Sequence, residues 1–440
     1  MLWRTVGFLL LLSPRMLSST SRPASRRVLY TAFDEVPGPK GACTHILAFV
    51  RALAQAGCDV WLVTPGPADR ASQSLAESLR PAQASTAAPP PGHLRAVDSR
   101  IHHVVFGCPD TNPLGRARTF RVKLAHWLAA RRFDVLHCRS IFEGIPLLRP
   151  EVRQQARLVY EVNGFPSIEM KYHYARLAEE RPVIEKLARQ ENDLLAAADL
   201  VLTVSDVNRA AIAARGVPLP RVEVIRNGVD LETFPFAPPP PAAAGPVRVA
   251  YVGTAAPWQG LDTLIEAVAM LQAQRAVELA ILGPVARSRR AELERLTRRL
   301  HVDQAVQLLG PGSQADVVRL LHASHLAAVP LLAVDRNTRQ GCSPLKLLEA
   351  LAAGCPVVAS DLPVVRELAE PERHLITVRA GDARHLKNGL LRLVETEGLA
   401  ESLATAARQH VEQHFTWERA GEALIRAYDS LTVDEVLLDE

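Results

Sequence analysis

The sequence predicts an α/β protein with two doubly wound, parallel-sheet (Rossmann-like) domains that face each other across a cleft. Three observations support this fold class. Short runs rich in β-branched residues alternate with helical stretches up to about residue 225, a proline-rich segment then interrupts the pattern, and the same alternation restarts at residue 247. Strands separated by helices form parallel sheets that are covered on both faces.

Each half of the chain supplies its own set of strands. In the first half we predict strands at Val28–Ala32, Asp59–Thr64, Ile101–Phe106, Asp134–His137, Arg157–Val162, Leu200–Val204 and Val222–Ile225. In the second half we predict strands at Val247–Val252, Glu278–Leu282, Ala305–Leu309, His325–Val329, Pro356–Ala359 and His374–Val378. Between the first two strands a helix is expected over Thr44–Gln55, ended by Gly57. Pro65–His93 reads as a long surface loop because it is rich in Pro, Ala and Ser.

These patterns divide the chain into five parts. The predicted segments are a leader (1–26), a first domain (27–233), a proline-rich linker (234–246), a second domain (247–414) and a C-terminal helix and tail (415–440) that returns toward the first domain. Ligands of doubly wound sheets bind beyond the carboxyl ends of the strands. A cleft between the two domains is therefore the expected binding site.

Composition excludes several classes of protein. The 440 residues are 48% hydrophobic and 22% charged, which argues against a disordered tail, a coiled coil or a polytopic membrane protein. The net charge of +4 is too small to indicate a nucleic-acid partner. Six cysteines without a Cys-x-x-Cys pair indicate neither a zinc site nor a disulfide framework, so a reducing cytosol is the expected compartment.

The first 26 residues are set apart from the domains. They are rich in arginine and contain no acid, and their apolar run, Val6–Leu12, is far shorter than the ~20 residues that span a bilayer. A signal peptide, a transit peptide and a disordered leader ahead of a start at Met16 all remain open.

Two such domains suit three classes of function: an enzyme acting on a nucleotide-linked substrate, a two-lobed solute-binding protein, and a dinucleotide oxidoreductase. No Gly-x-Gly-x-x-Gly follows the first strand of either half. The oxidoreductase class is therefore disfavoured.

The most informative segment is Gly341–Pro356. Ser343 is a suitable N-cap, Pro344 suits the first helical position, and Gly354 suits the C-terminal stop. Within this apolar helix only Lys346 and Glu349 are charged, and their spacing places them on one face. Glu349 either pairs with Lys346 or accepts hydrogen bonds from ligand hydroxyls, while the N–H groups at the helix start offer an anion site.

This segment, with the residues up to Asp361, resembles the donor-sugar signature of family 4 retaining glycosyltransferases, which have the GT-B fold. The resemblance implies that Glu349 binds the ribose of a nucleotide-sugar and that Ser343, Leu345 and Lys346 face its diphosphate. The Ser-Pro-Leu-Lys stretch resembles a recurrent variant of the signature. The family usually carries a second glutamate eight residues earlier, where this sequence has Gly341, so that contact to the sugar is absent or supplied elsewhere.

Two further donor-side segments resemble the same family. Gly253 lies in a loop like the one after the first strand of the nucleotide-binding domain, but Thr254 and Gln259 stand where relatives usually carry basic residues. Asn227 belongs to an Asn-Gly-Val-Asp stretch like the family's loop at the cleft border, although Asn-Gly alone is typical of a tight turn.

In the first domain the resemblance covers the acceptor side. The segment from Gly38 through Gly41 to His45 resembles the family's loop facing the acceptor and the scissile bond, although a glycine-rich loop at a helix start is also a general anion cradle. Asn163 stands where relatives carry a histidine near the reacting sugar. An amide can hydrogen-bond a hydroxyl but cannot serve as a base, which fits the family's mechanism, in which the departing phosphate accepts the acceptor's proton.

Charged residues near these strand ends have two interpretations. They line the acceptor side or are solvated loop charges; the set is Arg139, Glu161, Glu169 and Lys171.

Residues 116–132 are predicted to form a basic amphipathic helix. This helix is either a docking face for anionic membranes, as in relatives with lipid-linked acceptors, or an ordinary core helix.

The resemblance implies a retaining glycosyltransferase that moves a sugar from a nucleoside-diphosphate-sugar to a hydroxyl of a glycan or lipid-linked acceptor. The first domain would hold the acceptor and the second the donor, with Lys346, Asn163 and His45 at the reacting groups. No Asp-x-Asp motif is present, so no metal and no cofactor beyond the co-substrate is expected. We expect a cytoplasmic protein, peripheral at the inner face of the membrane. The alternatives are a GT-B epimerase or phosphorylase, and a weakly catalytic binding or partner protein.

Overall fold

The fold is described from a computed structural model that covers residues 25–38, 40–67, 99–110, 112–154, 156–173, 179–241 and 245–431. It contains two parallel sheets, one in each predicted domain. The first sheet has the strand order β3-β2-β1-β4-β5-β6-β7 and the second has the order β10-β9-β8-β11-β12-β13. All pairings within both sheets are parallel. The predicted fold class is confirmed.

The strands of the first sheet are β1 (Arg27–Thr31), β2 (Asp59–Gly66), β3 (Ile101–Gly107), β4 (Val135–Cys138), β5 (Arg157–Val162), β6 (Leu200–Thr203) and β7 (Arg221–Val224). The helices between them are α1 (Gly41–Gln55), α2 (Pro113–Leu128), α3 (Ile141–Gly144), α4 (Pro150–Arg153), α5 (Pro166–His173), α6 (Arg181–Ala197) and α7 (Asp206–Ala213).

The strands of the second sheet are β8 (Val247–Val252), β9 (Val277–Leu282), β10 (Val306–Gly310), β11 (Leu326–Val329), β12 (Val357–Ser360) and β13 (Ile376–Val378). The helices that follow in this half of the chain are α8 (Leu261–Gln272), α9 (Arg287–Arg299), α10 (Gln314–Ala323), α11 (Leu345–Ala352), α12 (Pro363–Arg366), α13 (Ala383–Glu395), α14 (Leu399–His414) and α15 (Trp417–Asp429). Short 3-10 turns cover Ile145–Leu148 and Pro257–Gln259, and a π-helical turn covers Arg336–Gln340.

Each sheet is covered by apolar side chains on both faces, as the near-continuous apolar strands require. The first sheet packs one core against α1 and the other against α2 and α6. The second sheet packs one core against α8 and α13 and the other against α11 and α14.

The chain crosses between the domains twice. The first crossing is the segment after β7, and the second lies between α14 and α15. The two crossings touch each other, because the backbone N–H of Val229 donates to the oxygen of Phe415 at 2.9 Å. Beyond the second crossing α15 belongs to the first domain, where Leu424 and Tyr428 complete the core beside α1.

Several predicted boundaries shift in the structure. The first helix begins at Gly41 rather than Thr44, so His45 lies inside α1 and not in a loop before it. Strand β2 continues through Pro65 and Gly66, which were expected to begin the surface loop. Residues 68–93 of that loop, residues 1–24 of the predicted leader and residues 432–440 of the predicted tail lie outside the described residues. Gly57 and Gly354 follow the ends of α1 and α11 with φ of 96° and 79°, as predicted for C-terminal stops.

Candidate active site in the interdomain cleft

A cavity of about 810 Å³ lies between the two domains; we call it the cleft cavity. It is bordered by the start of α1, by the loop after β8 and by the start of α11. The sequence-predicted site residues line it with four exceptions, which are Gly341, Glu161, Glu169 and Lys171. Those that do are Gly38, Gly41, His45, Arg139, Asn163, Asn227, Gly253, Thr254, Gln259, Ser343, Leu345, Lys346 and Glu349.

The start of α11 differs from the prediction by one residue. Ser343 was expected to be the N-cap, but Pro344 occupies that position in an extended conformation, and α11 begins at Leu345 with no side-chain cap. Ser343 instead turns toward the first domain, where its Oγ accepts a hydrogen bond from the backbone N–H of Asn227 at 3.2 Å. The N–H of Leu347 donates to the Pro344 oxygen at 3.1 Å, so the N–H groups of Leu345 and Lys346 are the ones left for an anion in the cleft.

Lys346 is held by neutral groups beside this helix start. Its Nζ donates to the Tyr251 hydroxyl at 2.8 Å and to the side-chain oxygen of Gln259 at 2.6 Å, and it lies 4.2 Å from the centre of the Tyr251 ring. Burial lowers the pKa of Lys346 to about 7, although the nearby Glu349 opposes this shift. Gln259, which stands where the family usually carries a basic residue, accepts this hydrogen bond and helps to position Lys346.

Glu349 lies one turn further along the same helix. Within the described part of the chain its carboxylate makes neither a hydrogen bond nor an ion pair, including one to Lys346. Burial raises the pKa of Glu349 to about 7, with Lys346 acting in the opposite direction. The simple Lys–Glu pair considered from the sequence is therefore not found among the described residues. A half-buried carboxylate without a partner is costly.

Gly341 packs against the first domain instead of lining the cavity. Its φ is 87°, and a Cβ atom there would lie 2.5 Å from Ser205 Oγ and 2.7 Å from the backbone nitrogen of Asn208. A side chain is therefore excluded at this position. The glutamate that relatives carry here could not be accommodated in this arrangement of the two domains.

Glu161 was expected to line the acceptor side or to be solvated, and both expectations are wrong. It is 1% exposed, and it accepts hydrogen bonds from Tyr30 at 2.6 Å, His137 at 3.0 Å and Arg139 at 2.8 Å, and also from the side-chain amide of Asn163. Burial by itself would raise the pKa of Glu161. The charges of His45 and Arg139 and the bonds from His137 instead hold this pKa well below its usual value.

His45 connects this buried acid to the donor helix. Its Nε2 lies 2.9 Å from Glu161 Oε1, and its Nδ1 lies 2.6 Å from the side-chain oxygen of Asn227. The Asn227 amide donates in turn to the backbone oxygen of Ser343 at 2.7 Å. This assignment of the amide makes His45 Nδ1 a donor, since it faces an oxygen. His45 is thus a positioning residue in the structure, and no free base is found at its ring.

The structure also places in the cleft a residue that the sequence reasoning missed. Arg336 lines the cavity with its guanidinium 4.6 Å from the Trp258 ring and its Nε 3.1 Å from Glu169. The same π-helical turn contacts the first domain at Gln340, whose side-chain oxygen accepts from the backbone N–H of Phe165 at 3.1 Å. In the sequence, the signal for Arg336 is that it lies a few residues before the donor motif.

The basic helix predicted at 116–132 corresponds to α2, and part of its charge is used internally. Arg121 donates to the backbone oxygens of Ile141 and Phe142, and Lys123 donates to that of Gly107. Within the residues described, no helix is long and apolar enough to cross a bilayer. The same residues contain no cluster of three or more His, Cys, Asp and Glu side chains that could hold a metal ion.

Comparison with known proteins agrees with this fold. Residues 39–233 match the family model described as Glycosyltransferase Family 4, and residues 246–396 match the model described as Glycosyl transferases group 1. Together the two matches take in both domains. The chain belongs to the group 1 glycosyltransferases of the GT-B fold.

Among the relatives of this glycosyltransferase is the amylovoran biosynthesis glycosyltransferase AmsK of Erwinia amylovora, 29% identical over 56% of this chain and 61% of AmsK. The putative colanic acid biosynthesis glycosyltransferase WcaL of Escherichia coli K12 is 29% identical over 53% of this chain and 57% of WcaL. The chain thus spans about 60% of the length of these relatives.

Solved structures share the whole architecture at low sequence identity. Sucrose-phosphate synthase from Thermosynechococcus elongatus aligns with a TM-score of 0.72 and 19% identity over 93% of this chain and 100% of its own. Anabaena Alr3699/HepE in complex with UDP-glucose aligns with a TM-score of 0.68 and 18% identity over 92% of this chain and 100% of its own. At this level of identity the likeness shows the fold.

Proposed function

We propose that this glycosyltransferase transfers a sugar from a nucleoside-diphosphate-sugar to a hydroxyl of a glycan or lipid-linked acceptor, with retention and without a metal ion. The observation that carries the proposal is the unpartnered carboxylate of Glu349 on a helix whose N-terminus opens into the cleft. The ribose hydroxyls would donate to this carboxylate, and the diphosphate would lie against the first turn of α11 and Lys346.

The chemistry we propose is mainly electrostatic. Negative charge builds on the diphosphate as the sugar departs, and the N–H groups of α11 with the Lys346 ammonium stabilise that charge. Asn163 donates its amide N–H to Glu161, which leaves its oxygen to accept a hydrogen bond from a substrate hydroxyl. An amide does not remove a proton at neutral pH, so the departing phosphate would accept the acceptor's proton.

The relatives support a proposal for the acceptor and the cellular location. AmsK and WcaL are described by their names as enzymes of amylovoran and colanic acid biosynthesis, and HepE was solved with UDP-glucose. We therefore propose an envelope-type polysaccharide or its lipid-linked precursor as acceptor and a cytoplasmic location. Peripheral membrane contact through residues 116–132 remains a prediction, weakened by the internal bonds of Arg121 and Lys123.

The proposal is tested by incubating the protein with UDP-, GDP- and ADP-sugars and a panel of glycan acceptors, in the presence of EDTA. With an α-linked donor we expect an α-linked product, which NMR identifies. Glu349→Ala should give no product even though its melting temperature matches that of the wild type. Conversion of the donor alone would instead support an epimerase. Binding of a nucleotide-sugar without any turnover would support a binding protein.

A further inference from the structure

The start of α11, where the diphosphate would bind, has little fixed positive charge. The loop at residues 253–260 borders the cleft cavity with the neutral side chains of Thr254 and Gln259, and it contains no charged residue. Lys346 is a cation at this place, but burial lowers its pKa to about 7. It is therefore only about half charged at neutral pH. A cation that keeps its charge is needed beside it if a diphosphate is to be held firmly.

Arg336 is such a cation, and one short turn places it beside Lys346. The guanidinium lies 4.6 Å from the ring of Trp258, while Lys346 Nζ donates to Gln259, the next residue of the same 3-10 turn. The side-chain amide of Asn337 donates to the backbone oxygen of Trp258 at 3.2 Å, which ties the π-helical turn to this 3-10 turn. The Arg336 side chain is only 18% exposed, and it lines the cleft cavity.

The charges of the two side chains act on each other. Burial is the main reason for the lowered pKa of Lys346, and the Arg336 guanidinium lowers it further. Glu349 and the Cys342 thiol act in the opposite direction. The thiol is near both cations, since each of them opposes the rise that burial causes in its pKa. Two cations that face one cavity disfavour each other's charge, and an anion in contact with both removes this cost.

Arg336 is placed before the start of α11, and Glu349 lies one turn into the helix. The guanidinium faces Cys342, three residues before the helix begins, and its Nε lies 3.1 Å from Glu169 of the first domain. Along the direction of α11 the charged side chains therefore follow the order Arg336, Lys346 and Glu349. With the ribose at Glu349, the group that reaches Arg336 is at the far end of the diphosphate, which is the phosphate bonded to the sugar.

From this order we propose that Arg336 is a further catalytic residue of the transfer, whose guanidinium contacts the phosphate that is bonded to the sugar. This inference rests on the proposed function, in which Glu349 holds the ribose and the start of α11 holds the diphosphate. Arginine suits the position because its planar guanidinium stays charged and donates several hydrogen bonds to phosphate oxygens. Glu169 and the Trp258 ring hold the guanidinium in place.

The step that Arg336 assists is the departure of the nucleoside diphosphate. The bond between the anomeric carbon and the phosphate oxygen breaks, and both of its electrons stay on that oxygen. The hydroxyl oxygen of the acceptor bonds to the same carbon, and its proton passes to the departing phosphate oxygen, so the products are a glycoside and a nucleoside diphosphate. The guanidinium stabilises the charge that develops on this oxygen, which a half-charged Lys346 does only in part.

The test compares calorimetric binding of UDP and UMP, or of the guanosine or adenosine pair if it binds more tightly, to the wild type, Arg336→Gln and Arg339→Gln. Arg339 is an exposed arginine of the same π-helical turn that does not border the cleft cavity, so it is the matched control. Arg336→Gln should weaken UDP binding by about tenfold or more and UMP binding by less than about threefold. Its kcat with a nucleotide-sugar should fall by about a hundredfold. Arg339→Gln should match the wild type.

Two further readouts separate contact with the phosphate from a structural role of the ion pair. Glu169→Gln also breaks the pair with Arg336, but it leaves the guanidinium in the cavity, so UDP should bind at least as tightly as to the wild type. The second readout is the pH profile. Without the Arg336 charge the pKa of Lys346 rises, so the decline in UDP affinity should begin at a higher pH in Arg336→Gln than in the wild type.

The inference is overturned if Arg336→Gln weakens UDP and UMP binding equally, or if Glu169→Gln lowers UDP affinity as much as Arg336→Gln does. It is also overturned if the loss appears with a nucleotide-sugar but not with UDP, since the guanidinium then contacts the sugar. In each of these cases a nucleoside diphosphate still binds and the proposed function stands. If the wild type binds no nucleoside diphosphate, the proposed function itself is overturned, and this inference with it.

Discussion

The side-chain amide of Asn227 donates to the backbone oxygen of Ser343 at 2.7 Å, and this bond joins the first domain to the residue two positions before α11. The same side chain accepts from His45 at 2.6 Å. A chain of contacts thus runs from buried Glu161 through His45 and Asn227 to the donor helix. The first domain thereby fixes the position of the helix start at which the diphosphate would bind.

We predict that Asn227→Ala lowers the free energy of unfolding by about 1–3 kcal/mol, since it leaves the buried His45 Nδ1 and the Ser343 oxygen without partners. Affinity for UDP or GDP should fall as well, because α11 loses its link to the first domain. Urea unfolding and calorimetry measure both quantities. Gln304→Ala, at an exposed glutamine, is the control. An unchanged free energy of unfolding in Asn227→Ala would show that these contacts do not stabilise the fold.

Glu161 should be essential for stability rather than for chemistry. Glu161→Gln removes the charge that Arg139 and His45 face in a buried site, and we predict a loss of about 3–5 kcal/mol in the free energy of unfolding at pH 7. Because the folded-state pKa of Glu161 is depressed, its contribution is present above about pH 4.5 and is lost as the pH falls below that value. The difference between wild type and variant should therefore shrink in acid.

Glu143 provides a matched control for Glu161. It is also fully buried, but burial raises its pKa to about 8, so its carboxyl is mostly neutral at pH 7. Glu143→Gln should cost much less stability than Glu161→Gln in the same urea titration. Equal losses in the two variants would contradict the assignment of an ionised Glu161.

Glu349→Gln should stabilise the protein while it impairs donor binding. Burial raises the pKa of Glu349 to about 7 in the folded state, so the acid reduces stability progressively as the pH rises from about 4.5 to 7. We predict that the variant exceeds the wild type by about 1–2 kcal/mol at pH 8 and by less at pH 5. Glu401→Gln, on the exposed face of α14, should show no such gain. A destabilised Glu349→Gln would indicate that the carboxylate has a structural partner.

The affinity for a nucleoside diphosphate should decline above neutral pH. With a pKa of about 7, Lys346 loses most of its charge between pH 7 and 8.5, which weakens binding by about tenfold. Ionisation of Glu349 over the same interval increases binding by only about twofold, so the net effect is a loss. Lys346→Arg keeps its charge, so only the roughly twofold gain from Glu349 should remain, and its affinity should not decline between pH 7 and 8.5. Lys123→Arg, on α2, is the control, and the same decline in Lys346→Arg would refute the role of Lys346.

Much of the fold and part of the site could be predicted from the sequence. The strands of both sheets follow from short apolar runs, and the helix at Leu345–Ala352 follows from its flanking Pro344 and Gly354. These signals are local, so they can be seen in a single sequence.

The environment of Glu161 could not be predicted in the same way. Its partners are distant in the chain, as is the His45–Asn227 pair, which is separated by 182 residues. A polar residue at a strand end looks the same in sequence whether it faces solvent or a buried network.

The central claim, that Glu349 holds the ribose of the donor, is tested most directly by a binding cycle with two ligands and two proteins. UDP and 2′,3′-dideoxy-UDP, or the guanosine pair if GDP binds better, are titrated calorimetrically into the wild type and Glu349→Gln at pH 7.5. We predict that loss of the ribose hydroxyls weakens binding to the wild type by about tenfold or more and hardly affects binding to Glu349→Gln. Equal losses with both proteins would show that the carboxylate does not contact the ribose.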